Sequence, residues 1–80
     1  MDDLLNVIGQ AVRTVMPELE SHTFLRNDSL EALGANSMDR ADIVMLVLEV
    51  LRLQILRTDT LGPANLGELA DLLDEKLRNR

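Results

Sequence analysis

The sequence contains no cysteine, no tryptophan and no tyrosine, and its one aromatic residue is Phe24. Without cysteine there is no disulfide, no thiolate nucleophile and no cysteine-based zinc site to brace a small fold. The 80 residues make a single domain, 1–80. A domain of that size buries only about 60% of the surface its unfolded chain exposes, so its packing has to be efficient. With aromatics nearly absent, the core must be built from Leu, Ile, Val, Ala and Met. Positive charge is also scarce, at 8 Lys and Arg against 14 Asp and Glu, for a net charge of −6. That balance argues against nucleic acid, which needs a basic footprint, and suits docking on basic patches of protein partners. Long apolar runs are missing too. The longest, Ile43 to Leu48, falls far short of the roughly 20 residues that span a bilayer. The start, Met1-Asp2-Asp3, lacks the cationic stretch of a secretory signal. The expectation is a cytoplasmic monomer with no membrane partner.

What is present is helical periodicity, so the fold class is all-α. A first helix is expected from about Asp3 to Met16. Leu4, Leu5, Ile8, Ala11, Val12 and Val15 recur on one face, and Asp2, Asn6, Gln10, Arg13 and Thr14 face away. Asp2 and Asp3 suit the positive end of the helix dipole, and Pro17 stops the segment. A last helix is expected to follow Asn65-Leu66-Gly67-Glu68, a capping-box variant. Its apolar face is Leu66, Leu69, Ala70, Leu73 and Leu77, and Lys76, Arg78 and Arg80 sit at its negative end.

The middle helix, expected from Ser37 to Leu53, carries two apolar stripes when its residues are placed about 100° apart. Ile43, Leu46, Val47 and Val50 form one. Ala41, Met45 and Leu48 form the other, on the side of Ser37, with Arg52 at its far end. Asp42 and Glu49 border the second stripe, and Val44 and Leu51 lie between the two. One stripe serves the core. The second reads either as the mark of a central, buried helix or as a docking face rimmed by acids.

Some 20 residues without strong periodicity join the first and middle helices. Such a loop needs anchors, and Leu19, Phe24, Leu25, Leu30 and Leu33 are the candidates, with Asn27-Asp28-Ser29 as a turn. Residues 57–64 read as a connector with one helical turn, closed by Gly62-Pro63.

Little in this chain can do chemistry. His22 is the only histidine, and its neighbours Glu20 and Ser21 cannot converge with it as a relay. The acids show no calcium-loop spacing. Two serines stand out, Ser29 in Asp28-Ser29-Leu30 and Ser37 in Asn36-Ser37-Met38. Either hydroxyl can simply cap a helix, or it can be a handle for a group attached by another enzyme. Ser29 is followed closely by Gly34, so no long helix starts there. Ser37 follows Leu33-Gly34 and heads a long helix.

Leu30-x-x-Leu33-Gly34-x-Asn36-Ser37-Met38, followed by an apolar helix with flanking acids, resembles the acyl carrier protein family, whose pattern is L-x-x-L-G-x-D-S-L. The resemblance covers essentially the whole chain. It implies a four-helix bundle with a short third helix and a long loop between helices one and two. It also implies a 4′-phosphopantetheine arm on Ser37, which would supply the thiol that the chain lacks. Asn36 stands where the family has aspartate, and Met38 where it has leucine. The stretch after helix two, residues 51–57, lacks the acids of fatty-acid carriers, which points to secondary metabolism.

The segment from Gly34 to Ile43 is similar to free-standing carriers of polyketide β-branching cassettes of the curacin type. That implies an acetyl donor to an HMG-synthase-like enzyme, with no catalysis by the carrier itself. The implied partners are a phosphopantetheinyl transferase, the HMG-synthase-like enzyme, an acyltransferase and a decarboxylase-type ketosynthase. The expected recognition surface is Asp39, Arg40, Ala41, Asp42, Met45, Leu48, Glu49 and Arg52. Arg40, one turn from Ser37, can pair with the arm's phosphate or a partner acid, or be a solvated surface arginine. The competing functions are an unmodified helical adaptor, binding a partner through the second stripe, and an aminoacyl or peptidyl carrier.

Overall fold

The computed structural model describes residues 3–79, so the expected roles of Asp2 and Arg80 lie outside the described residues. Three α-helices, α1 (Asp3–Val15), α2 (Ser37–Leu51) and α3 (Leu66–Arg78), are supplemented by two 3-10 turns, Pro17–Leu19 and Arg57–Thr60. No strand occurs among the described residues. The short third helix expected from the resemblance is thus the four-residue turn Arg57–Thr60 and not an α-helix. Its residues explain this. Two threonines and an aspartate are weak helix formers, and Gly62-Pro63 leaves no length over which the cost of nucleation could be recovered.

α1 packs against both α2 and α3. Ile8, Ala11 and Val12 of α1, Ile43 and Val47 of α2, and Leu66, Leu69, Ala70 and Leu73 of α3 meet in one core with Met16, Ala35 and Leu53. At the edge of that core, Gly9 lets Phe24 come close to α1, since a Cβ there would lie 3.0 Å from the ring. Arg13 covers that ring at 4.9 Å and donates from Nη2 to the His22 carbonyl at 2.9 Å. The long loop is therefore fastened to α1 as well as to the core.

The loop is fastened to α3 by backbone. The first amides of a helix have no partner within it. Here Leu66 N–H donates to the Asp28 carbonyl and Gly67 N–H to that of Arg26, both at 2.8 Å. Asn65 Oδ1 accepts from Glu68 N–H at 2.8 Å, as the capping spacing predicts. The Glu68 carboxylate reaches back one residue further than in a standard box, to Ala64 N–H. Of the expected anchors, Leu19, Phe24 and Leu30 pack on the core, but Leu25 is 56% exposed. The backbone bonds and Phe24 do the holding that Leu25 was expected to share.

α2 ends two residues earlier than expected. Arg52 adopts the left-handed conformation (φ 53°), its N–H donating to Glu49 O, while Leu53 N–H reaches back to Leu48 O. This is a Schellman ending made without glycine. It turns Leu53 into the core, 6% exposed, and leaves Val50 outside at 65%. Val50 was expected in the core stripe. It sits on the last turn, where the reversed chain brings Leu53 inward instead.

Candidate functional site

The head of α2 decides whether Ser37 is a cap or a handle. Gly34, at φ 98°, swings the chain from the turn at residues 30–34 into Ala35, which is buried. Asn36 then stands as N-cap. Its Oδ1 accepts from Asp39 N–H at 2.8 Å, and the Asp39 carboxylate accepts from Asn36 N–H at 3.3 Å. This is a complete capping box, so the cap is Asn36 and not Ser37. Ser37 is the first helical residue, and its side chain is exposed. Among the described residues its Oγ has one hydrogen-bond partner, a long one, Arg40 Nη2 at 3.4 Å. Arginine only donates, so the hydroxyl proton of Ser37 is not spent on it. Among the described residues, neither the Ser37 nor the Met38 amide finds an acceptor, which leaves two donors at the positive end of the helix.

Ser29 is in the opposite condition. It is half-buried, and its Oγ accepts from Ala32 N–H at 3.0 Å, capping the turn that follows. Beside it, the Asp28 carboxylate accepts from Leu25 N–H at 2.8 Å and lies 3.0 Å from His22 Nε2. The Leu25 amide first, and the His22 ring second, hold the Asp28 carboxyl below its ordinary range. His22 thus has an acid partner that sequence proximity did not reveal. Among the described residues no serine hydroxyl bonds to its ring, and the pair closes the loop.

A cleft of about 650 Å³ opens at Ser37. It is lined by Ser37, Arg40, Ala41 and Val44 of α2, by Ser29, Leu30 and Glu31 of the loop before it, and by Leu61, Pro63 and Ala64 of the connector. Ser37, Ala41 and Val44 follow i, i+4, i+7 spacing, which aligns them along one line of the helix. The walls contributed by the connector carry no local sequence signal, because the cleft exists only once the connector folds back. An exposed hydroxyl, a neighbouring guanidinium and unpaired amides at the mouth of a half-apolar cleft fit a phosphate-linked chain. Ser37 would bear it, and Arg40 and the amides would meet its phosphate.

The residues expected as a recognition surface divide. Asp42, Met45 and Glu49 are exposed, Met45 at 49%. Leu48 is half-buried and packs on the core, and Ala41 is half-buried in the cleft wall. Asp39 is engaged in the capping box. Arg40 Nη1 donates to the Ala35 carbonyl at 3.0 Å. Arg52 forms the left-handed ending of α2. The second stripe is therefore neither fully buried nor a continuous open face. Met38, at 76% exposed, adds an apolar residue next to Ser37 that was not expected on this surface.

No helix among the described residues is long and apolar enough to cross a membrane. No family model matches the chain. It is 48% identical over 76 residues to the polyketide biosynthesis acyl-carrier-protein AcpK of Bacillus subtilis (strain 168), covering 95% of this chain and 93% of that protein. Its fold is similar to a chain in the crystal structure of the curacin biosynthetic pathway HMG synthase in complex with acetyl donor-ACP. There the TM-score is 0.85 and the identity 44%, over 89% of this chain and 91% of the other. The chain belongs to the acyl carrier proteins of polyketide biosynthesis, which carry and do not catalyse.

Proposed function

We propose that this carrier holds an acyl group, acetyl in the first place, as a thioester on a 4′-phosphopantetheine arm attached to Ser37. It presents that group to an HMG-synthase-like enzyme, as donor for β-branching. The observation that carries the reading is that Asn36 caps α2 and leaves the Ser37 hydroxyl exposed at the mouth of the cleft. The arm supplies the thiol that a cysteine-free chain cannot. A phosphopantetheinyl transferase would attach it, and an acyltransferase and a decarboxylase-type ketosynthase would charge it. The turn Arg57–Thr60 stands in the place of the third helix of a four-helix carrier. A cytoplasmic location goes with this reading.

The donor role is supported by the curacin complex, whose carrier is an acetyl donor and resembles this chain at 44% identity. Asp42, Met45 and Glu49, exposed beside Met38, are the part of α2 best suited to a partner with an apolar patch and a basic rim. Asp39, Arg40, Ala41, Leu48 and Arg52 belong to the same proposed surface but also have structural engagements. The test is incubation with coenzyme A and a broad-specificity phosphopantetheinyl transferase, read by intact mass. The expected result is one arm on the wild-type chain and none on Ser37→Ala. No gain at all favours the unmodified adaptor, and a gain that survives Ser37→Ala puts the arm on another residue and sinks the assignment at this site. Acetyl transfer from the loaded carrier to an HMG-synthase-like partner, weakened by charge reversal at Asp42 and Glu49, tests the donor role against an aminoacyl carrier.

A further inference from the structure

We propose that Arg40 is an anchor for the arm's phosphate and that Glu31 competes with that phosphate for it. This deepens the carrier reading and rests on it. Arg40 is the cation beside Ser37 on α2, and its guanidinium is already turned toward the hydroxyl. Nη2 lies 3.4 Å from Ser37 Oγ, Nη1 donates to Ala35 O at 3.0 Å, and Glu31 Oε1 is 4.0 Å from Nη1. The Ala35 carbonyl therefore fixes the plane of the fork, and a second nitrogen is left facing the attachment atom. A phosphodiester on Ser37 puts its phosphorus one bond, and its free oxygens two bonds, beyond an atom that Nη2 already touches.

The neutral cap adds to this. Asn36 puts no carboxylate at the helix start, so the Ser37 and Met38 amides and Arg40 all face the phosphate without an anion at the cap position itself. Toward the two free oxygens of a phosphodiester, the guanidinium makes stronger hydrogen bonds than it makes with neutral oxygens. The opposing group is Glu31. Its contact with Arg40 is at the limit of an ion pair, and its side chain is 79% exposed, so solvent screens it. On attachment of the arm, Arg40 exchanges that loose partner for the phosphate while keeping Ala35. The root of the arm is then held at the cleft mouth, and the same Arg40–Ala35 bond ties the loop to α2.

The experiment is phosphorus-31 NMR of the holo protein, which reports the phosphodiester itself. In the wild type the resonance should be displaced from its position in Arg40→Gln. The displacement should vanish near 1 M salt, where the Debye length is about 3 Å. Arg40→Lys, which keeps the charge and loses the fork, should recover part of it. Glu31→Gln should enlarge it, and that variant leaves the Ala35 bond untouched, so it remains informative if Arg40→Gln fails to fold. Identical resonances in the wild type, Arg40→Gln and Glu31→Gln at every salt concentration would overturn the anchor and leave the carrier reading standing. Absence of any phosphodiester resonance after treatment with the transferase would overturn both.

Discussion

Two segments of this chain start alike, Asp28-Ser29-Leu30 and Asn36-Ser37-Met38, each a short polar residue, a serine and an apolar residue ahead of a helical turn. In the first, both polar side chains are engaged within the fold. Asp28 takes His22 and the Leu25 amide, its carbonyl takes Leu66 N–H, and the Ser29 hydroxyl caps the turn. In the second, the residue before the serine does the capping, through Asn36 and Asp39, and the serine is left with one long contact. The difference is one of register. Ser29 stands three residues before the amide it caps, and Ser37 stands one residue too late for that job. A serine at the first helical position has its hydroxyl displayed by the helix and not consumed by it.

The largest effect expected comes from the core shared by both segments. Ala35 and Ile43 belong to it, and Leu30 packs against it. Ile43 is fully buried, so Ile43→Ala should cost about 2–4 kcal/mol in a urea titration. Met45→Ala, on the exposed side of the same helix, should cost well under about 1 kcal/mol and act on partner binding instead. Equal costs would mean that α2 is enclosed on both sides.

Next in size is the cap that frees Ser37. Asn36→Ala removes the side-chain half of the box and should cost about 1 kcal/mol. If the cost is negligible, the hydroxyl of Ser37 has taken over the cap, and the distinction between the two segments dissolves. Asn36→Asp restores the family residue and puts a carboxylate at the positive helix end, which should stabilise by about 0.3–1 kcal/mol.

The smallest effect belongs to Asp28 and depends on pH. Its carboxyl is held below the ordinary range in the folded chain, so the unfolded chain takes up its proton first as pH falls. The stability it contributes is complete above about pH 4, the ordinary carboxylate value, and is lost as pH drops through the lower folded value. The stability gap between the wild type and Asp28→Asn should therefore narrow as pH falls below about 4. A gap independent of pH in that range would mean that the Leu25 amide and the His22 ring do not favour the charged carboxylate.

α1 and α3 were legible because each has one apolar stripe and a breaker or cap at its end. Ser37 was legible as the head of α2, but the sequence left open whether it was the cap. The signal for Asn36 was present: Asn36-x-x-Asp39 has the same spacing as Asn65-x-x-Glu68, with a shorter acid. Val50, expected in the core stripe, lies outside and Leu53 points inward because the left-handed Arg52 reverses the chain, and angles around an ideal helix do not contain that reversal. The far wall of the cleft, Leu61, Pro63 and Ala64, and the His22–Asp28 pair depend on where loops fold back. Periodicity carries no information on either.

Under the proposed function Ser37, and not Ser29, bears the arm because Asn36 does the capping. Cleavage after Arg26 and Arg40 places both serines in one peptide, residues 27–40. Fragmentation of that peptide from the loaded wild-type chain assigns the added mass directly. The full arm is expected on fragments that contain Ser37, and none on those that end before Asn36. An arm on Ser29, or one divided between the two serines, would contradict it.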